Sequence, residues 1–65
     1  MDISIIGLGL IGGSFARAIK KYTNHNVFGF DTNPSSVEMA KADGSIDRES
    51  NFTQLPKMDM VIVCL

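Results

Sequence analysis

Three glycines, Gly7, Gly9 and Gly12, stand near the start of the chain in the spacing G-x-G-x-x-G, and an aspartate, Asp31, follows the last of them by 19 positions. Where a strand runs straight into a helix, glycines so placed have separate tasks. The first permits a tight turn, the second lets a phosphate group approach the backbone, and the third lets helix and strand pack closely. The helix that follows presents unpaired N–H groups and the positive end of its dipole, which together hold an anion. A carboxylate about 20 residues further on, at the end of the next strand, accepts hydrogen bonds from ribose hydroxyls. Together these residue types have the chemistry of a dinucleotide site. Asp31 also repels a 2′-phosphate, and neither Thr32 nor Asn33 supplies an arginine to welcome one, so the pattern favours NAD over NADP.

The glycine pattern carries this meaning only between a strand and a helix. Ile3-Ser4-Ile5-Ile6 is a run rich in β-branched residues, suited to a strand buried on both faces and ending at Gly7. From Leu10 onward, Ile11, Phe15, Ala18, Ile19 and Tyr22 recur at helical spacing with Arg17, Lys20 and Lys21 opposite them. This predicts an amphipathic helix of about three turns whose charged side faces water. Thr23 to Asn26 reads as a turn, and Val27-Phe28-Gly29-Phe30 as a second strand closing on Asp31. Asn33 is placed to cap, and Pro34 to begin, a short helix running from about Ser35 to Ala42, which Gly44 ends in the left-handed conformation. Its apolar side, Val37, Met39 and Ala40, is thin. Ser45 to Lys57 is expected to hold at most a brief edge strand near Ile46 before a loop, and Met60 to Leu65 to form a strand covered on both faces.

Strands alternating with helices imply right-handed crossovers and a parallel sheet. The expected fold is therefore α/β: a Rossmann-type doubly wound parallel sheet, of which the chain holds the N-terminal βαβαβ portion only. The first strand should lie between the second and the last, with the Ile46 segment beyond the second. The last strand would then form an apolar edge with none of the charge, proline or bulge that usually blunts one. The expectation is that residues 1–65 are a partial dinucleotide-binding domain of a longer protein, or that the sheet is completed by dimerising or by swapping elements.

At 65 residues the chain makes one small domain, and a chain of that size buries only about 60% of the surface its unfolded form exposes. A formal charge of −1 with no run of like charges points away from nucleic acid and membrane surfaces and toward a small molecule or another protein. One cysteine, Cys64, and one histidine, His25, supply neither an internal disulfide nor a metal-ligand cluster. With no basic leader and no spanning apolar run, a cytoplasmic location is expected. Cys64 in its apolar run reads as a small core residue, and Ser14 as a helix serine that bonds its own backbone or touches a phosphate oxygen. No set of general acid, general base and nucleophile is present, so no catalytic residue is assigned.

The runs IIGLGLIGGSFARAIK, VFGFDTNP, AKADGSID and MDMVIVCL resemble the N-terminal NAD-binding domain of the prephenate dehydrogenases, over essentially the whole chain. Leu-Ile-Gly-Gly-Ser inside the glycine pattern, at Leu10 to Ser14, is the most specific part of the likeness. The resemblance implies NAD-dependent oxidative decarboxylation of prephenate to 4-hydroxyphenylpyruvate in tyrosine biosynthesis, or of arogenate to tyrosine in sister enzymes. It implies that Gly7, Gly9, Leu10, Ile11 and Gly12 line the pyrophosphate, and that Asp31, Thr32 and Asn33 surround the adenosine ribose. It further implies a homodimer whose helical dimerisation domain, catalytic histidine and substrate-binding residues lie beyond Leu65, so that these 65 residues alone are inactive.

Three other readings stand beside this one. β-Hydroxyacid dehydrogenases and pyrroline carboxylate reductases share the glycine turn but tend to carry Gly-x-Met where this chain has Leu10-Ile11-Gly12. Nucleotide-sensing regulatory modules use the same βαβ unit without catalysis, usually with a Gly-Asp-Ala-Thr-like turn in place of Gly44-Ser45-Ile46-Asp47. The plainest reading is a βαβ scaffold that binds nothing.

Overall fold

β1 (Asp2–Ile6) lies in the interior of a four-stranded, all-parallel sheet in the computed structural model, which describes all 65 residues, Met1–Leu65. β2 (Asn26–Phe30) pairs on one side, with Ile3 opposite Val27 and Ile5 opposite Gly29, and β3 (Arg48–Glu49) pairs beyond it. β4 (Met60–Val63) pairs with β1 on the other side, with Ile5 opposite Ile62, giving the order β3-β2-β1-β4. That is the strand order expected of the doubly wound fold. α1 (Leu10–Tyr22) joins β1 to β2, and α2 (Pro34–Ala42) leads from β2 toward β3.

The alternation of side chains along β1 explains why a short strand must be apolar nearly throughout. On the helix side Ile5 packs with Val27, Leu8, Ala16, Val37, Ala40 and Ile46, and this cluster is the core. On the other side Ser4 is fully buried and its hydroxyl shares a 2.9 Å hydrogen bond with that of Ser50. Phe30 packs against Phe52 with ring centroids 5.0 Å apart.

α1 is not oriented as its apolar spacing suggests. Gly12, Gly13 and Ala16 face the sheet, Ile19 alone of the expected apolar set packs on the core, and Ile11, Phe15, Ala18 and Tyr22 are exposed. The cause is proximity. A Cβ on Gly12 would collide with the Gly7 carbonyl oxygen and come within 3.3 Å of the Cys64 Cβ, so only the smallest residues fit beneath the helix. The bulky residues are turned outward. Nor are Arg17 and Lys20 merely a wet face: Arg17 lies 3.9 Å from Asp43, and Lys20 donates to Asp47 at 2.9 Å.

α2 begins as expected, with Pro34 in its first turn and Asn33 Oδ1 accepting from the Ser35 N–H at 3.0 Å. Gly44, at φ +78°, follows it in the left-handed region. Val37 and Ala40 are buried, while Met39 is exposed.

Downstream the sequence reading needs four corrections. Ile46 belongs to the core and not to the edge strand, which is displaced to Arg48–Glu49. A capped 3-10 helix, Phe52–Lys57, stands where a loop was expected: Asn51 accepts from the Thr53 N–H, and Gln54 Oε1 accepts from the Asn51 N–H. β4 is also shorter than Met60–Leu65. It is not covered on both faces either, since Met60, Val61 and Val63 are exposed and only Ile62 and Cys64 pack against the core.

Candidate functional site

The C-terminal ends of β1 and β2 bring the glycine turn and Asp31 together. Gly7 leaves β1 at φ +95°, a conformation that L side chains rarely adopt. Its N–H donates to the Phe30 carbonyl at 2.8 Å, and a Cβ there would collide with the Cys64 carbonyl. Gly7 and Gly12 are thus demanded by the chain's own packing.

Gly9 is different. Its φ of −72° and ψ of −156° are extended backbone open to any residue, and a Cβ built on it meets nothing within 4 Å. Nothing inside the chain requires glycine at this position. Gly9 is also the residue that caps α1, with no side chain bonding the helix end and no acidic residue in the first turn. The first N–H of the turn to find a backbone acceptor within the helix is that of Gly13, which donates to the Gly9 carbonyl at 2.8 Å. The N–H groups of Gly9, Leu10, Ile11 and Gly12 have no partner. Leu10 and Ile11 are exposed residues at the mouth of the helix, while Gly12 is buried behind them. Bare amides, a positive helix end and an open space where a side chain would otherwise stand make a cradle for a phosphate group.

Asp31 closes the arrangement. Its Oδ2 accepts from the Leu8 N–H at 2.7 Å, which fastens the glycine turn to the end of β2, and its Oδ1 accepts from the Asn33 N–H at 2.8 Å. These two bonds, that from Asn33 first, hold the carboxyl below the usual aspartate range, so it is ionised at neutral pH. An ionised carboxylate has about four acceptor positions, and two remain for other donors. Thr32 is exposed beside it, and the Asn33 side chain is engaged in capping α2. The tie to Leu8 bridges 23 positions and has no sequence signature.

Ser14 takes its plain reading, donating to the Leu10 carbonyl at 2.7 Å. Cys64 is half-buried beneath the turn. His25 lies at the far end of the sheet, where its Nδ1 accepts from the N-terminal amine at 2.9 Å. No group of three His, Cys, Asp or Glu side chains is placed to hold a metal ion, and no helix is long and apolar enough to cross a membrane.

The model for the NAD binding domain of 6-phosphogluconate dehydrogenase matches residues 2–65. The chain belongs to that family. Its cofactor class is accordingly NAD, and the four parallel strands with their intervening helices are a Rossmann-like NAD-binding unit. Two solved structures are similar to this member of the NAD-binding family. Prephenate dehydrogenase from A. aeolicus, in complex with hydroxyphenyl propionate and NAD+, shares 28% identity at a TM-score of 0.83. Synechocystis arogenate dehydrogenase shares 28% identity at a TM-score of 0.89. The match covers 97% and 98% of this chain but only 23% of each of the other two, so the likeness concerns their NAD-binding parts.

Proposed function

We propose that this chain holds NAD for an oxidoreductase acting on prephenate or arogenate. Gly7, Gly9, Leu10, Ile11 and Gly12 line the pyrophosphate, and Asp31, with Thr32 and Asn33, borders the adenosine ribose. The observation that carries this reading is Gly9, a glycine that neither backbone conformation nor packing explains, set among unpartnered N–H groups. The dehydrogenase class has the support of the two similar structures, one named for prephenate and one for arogenate.

Bound NAD would supply a hydride acceptor as carbon dioxide leaves the substrate ring. The residues of this chain bind and orient. The α1 amides take the charge of the phosphates, while Asp31 fixes the ribose and, through Leu8, the turn that carries those amides. The carboxylate tied to the turn, Asp31, is engaged by the Leu8 and Asn33 N–H groups and offered to the ribose, so the 65 residues are expected to bind cofactor without turning substrate over. The homodimer and the cytoplasmic location remain part of this same proposal.

Calorimetry of the chain with NAD and with ADP-ribose tests the binding. Heat that saturates is expected, and its absence at millimolar ligand would leave only the scaffold reading. Prephenate-dependent NADH formation by the 65-residue chain would show that its own residues do more than hold the cofactor.

A further inference from the structure

We propose that the N-terminal amine and His25 form a two-nitrogen site for a divalent transition-metal ion, copper(II) foremost, at the end of the sheet opposite the glycine turn. The Met1 amine nitrogen lies 2.9 Å from His25 Nδ1. Metal–imidazole bonds of the zinc type are about 2.0–2.1 Å long, and two such bonds at a right angle set their nitrogens about 2.9 Å apart. The pair therefore already has the separation of two neighbouring ligands. The terminal amine is a donor that no count of His, Cys, Asp and Glu includes, so the pair has no signature in the spacing of those residues.

The fold holds both donors in place. β1 and β2 run parallel with Asp2 opposite Asn26, which puts Met1 opposite His25 across 24 positions of sequence. The Asn26 N–H donates to the Met1 carbonyl at 3.0 Å, and the Asp2 N–H donates to Asp59 Oδ2 at 2.7 Å, so the backbone that carries the amine is fixed. The His25 N–H donates to Thr23 Oγ1 at 3.2 Å, and His25 is half-buried. Little ordering is left for an ion to impose. The carboxylates of Asp2 and Asp59 stand at the same end of the sheet and draw a cation toward it. On binding, the ammonium gives its proton to solvent, its lone pair and that of Nδ1 go to the metal, and Nε2 keeps the ring hydrogen. Nitrogen donors suit nickel(II), zinc(II) and copper(II), and copper(II) binds most tightly of these. Water fills the remaining positions.

Copper(II) chloride, titrated into the 65-residue chain in a non-coordinating buffer, is the probe. One equivalent should bind, with splitting from two nitrogens in its electron paramagnetic resonance spectrum. His25→Ala, and separately the parent chain acetylated at its amine, should each lose about 100-fold or more in affinity, beyond the 10- to 100-fold that removing an outer partner of a metal ligand costs. Neither donor belongs to the core, so both altered chains should keep the amide NMR dispersion of the parent. NAD binding, at the other end of the sheet, should be the same in both, which separates this site from the NAD reading. A parent chain that takes up no stoichiometric, nitrogen-ligated copper overturns the site, and so do altered chains that hold copper as tightly as the parent.

Discussion

Two single-methyl substitutions within the glycine turn should have opposite consequences. Gly12→Ala places its Cβ against the Gly7 carbonyl, within 2.9 Å of the carbonyl carbon, so backbone must move. Overpacking of this kind costs about 1–3 kcal/mol and more where backbone is the obstacle. For a domain of this size the whole stability is roughly 3–10 kcal/mol, at 0.05–0.15 kcal/mol per residue. Gly12→Ala should therefore lower the urea midpoint by a large fraction of its value. Gly9→Ala meets nothing within 4 Å in an extended conformation, so it should leave the fold intact. The smaller conformational freedom of unfolded alanine is offset by the poorer N-cap that alanine makes at the start of α1, so the net change in stability should be small, within about 1 kcal/mol.

NAD binding should nevertheless fall for Gly9→Ala. The new methyl occupies the space in which a phosphate would reach the α1 amides, and losing one hydrogen bond to a charged group costs about 1.5–3 kcal/mol, or roughly 10- to 150-fold in affinity. The assays are urea unfolding and calorimetric titration of both variants. If Gly9→Ala bound NAD as well as the parent chain, the argument that Gly9 exists for the ligand would fail.

Asp31→Asn should weaken NAD binding measurably by calorimetry, and unchanged affinity would remove Asp31 from the site. Asp31, Asp43 and Asp47 are all held below the usual aspartate pKa, chiefly by hydrogen bonds from Asn33, Ser45 and Val27 respectively. Carboxylates depressed in the folded state contribute stability that is complete above their unfolded value of about 3.9 and is lost as pH falls through the lower folded values. The melting temperature should thus be flat near neutrality and drop below about pH 4, and Asp47→Asn should flatten that drop. On α1, Phe15→Gln should change stability by less than about 0.5 kcal/mol because Phe15 is half exposed, whereas Ala16→Leu, at a fully buried position, should cost about 1–3 kcal/mol by urea unfolding.

The strands and their order were legible because buried parallel strands are written as local runs: Ile3 to Ile6, Val27 to Phe30, Met60 onward. The cap and stop of α2 were legible for the same reason, since Asn33, Pro34 and Gly44 act within a few residues of themselves. The face of α1 was not. Hydropathy records which residues avoid water and says nothing of how near a helix lies to a sheet. Here nearness selects Gly12, Gly13 and Ala16 and leaves Ile11 and Phe15 outside. The same limit hid the place of Ile46, whose side chain fills the space over Gly29 where a Cβ would come within 2.9 Å of it.

The candidate site divides along this line as well. The glycine spacing is a local demand on backbone and could be read directly, but the motif does not say which glycine serves the fold and which serves the ligand. Geometry makes that division, assigning Gly7 and Gly12 to the turn and leaving Gly9 with no steric reason to be glycine. Asp31 cannot be divided in this way. One carboxylate oxygen holds the Leu8 N–H and the other the Asn33 N–H, so the acid offered to the ribose also sets the start of the turn that presents amides to the phosphates. A change at Asp31 should therefore weaken both halves of adenosine diphosphate recognition together. Ligands that carry phosphate alone should lose affinity for the Asp31→Asn chain along with those that carry ribose.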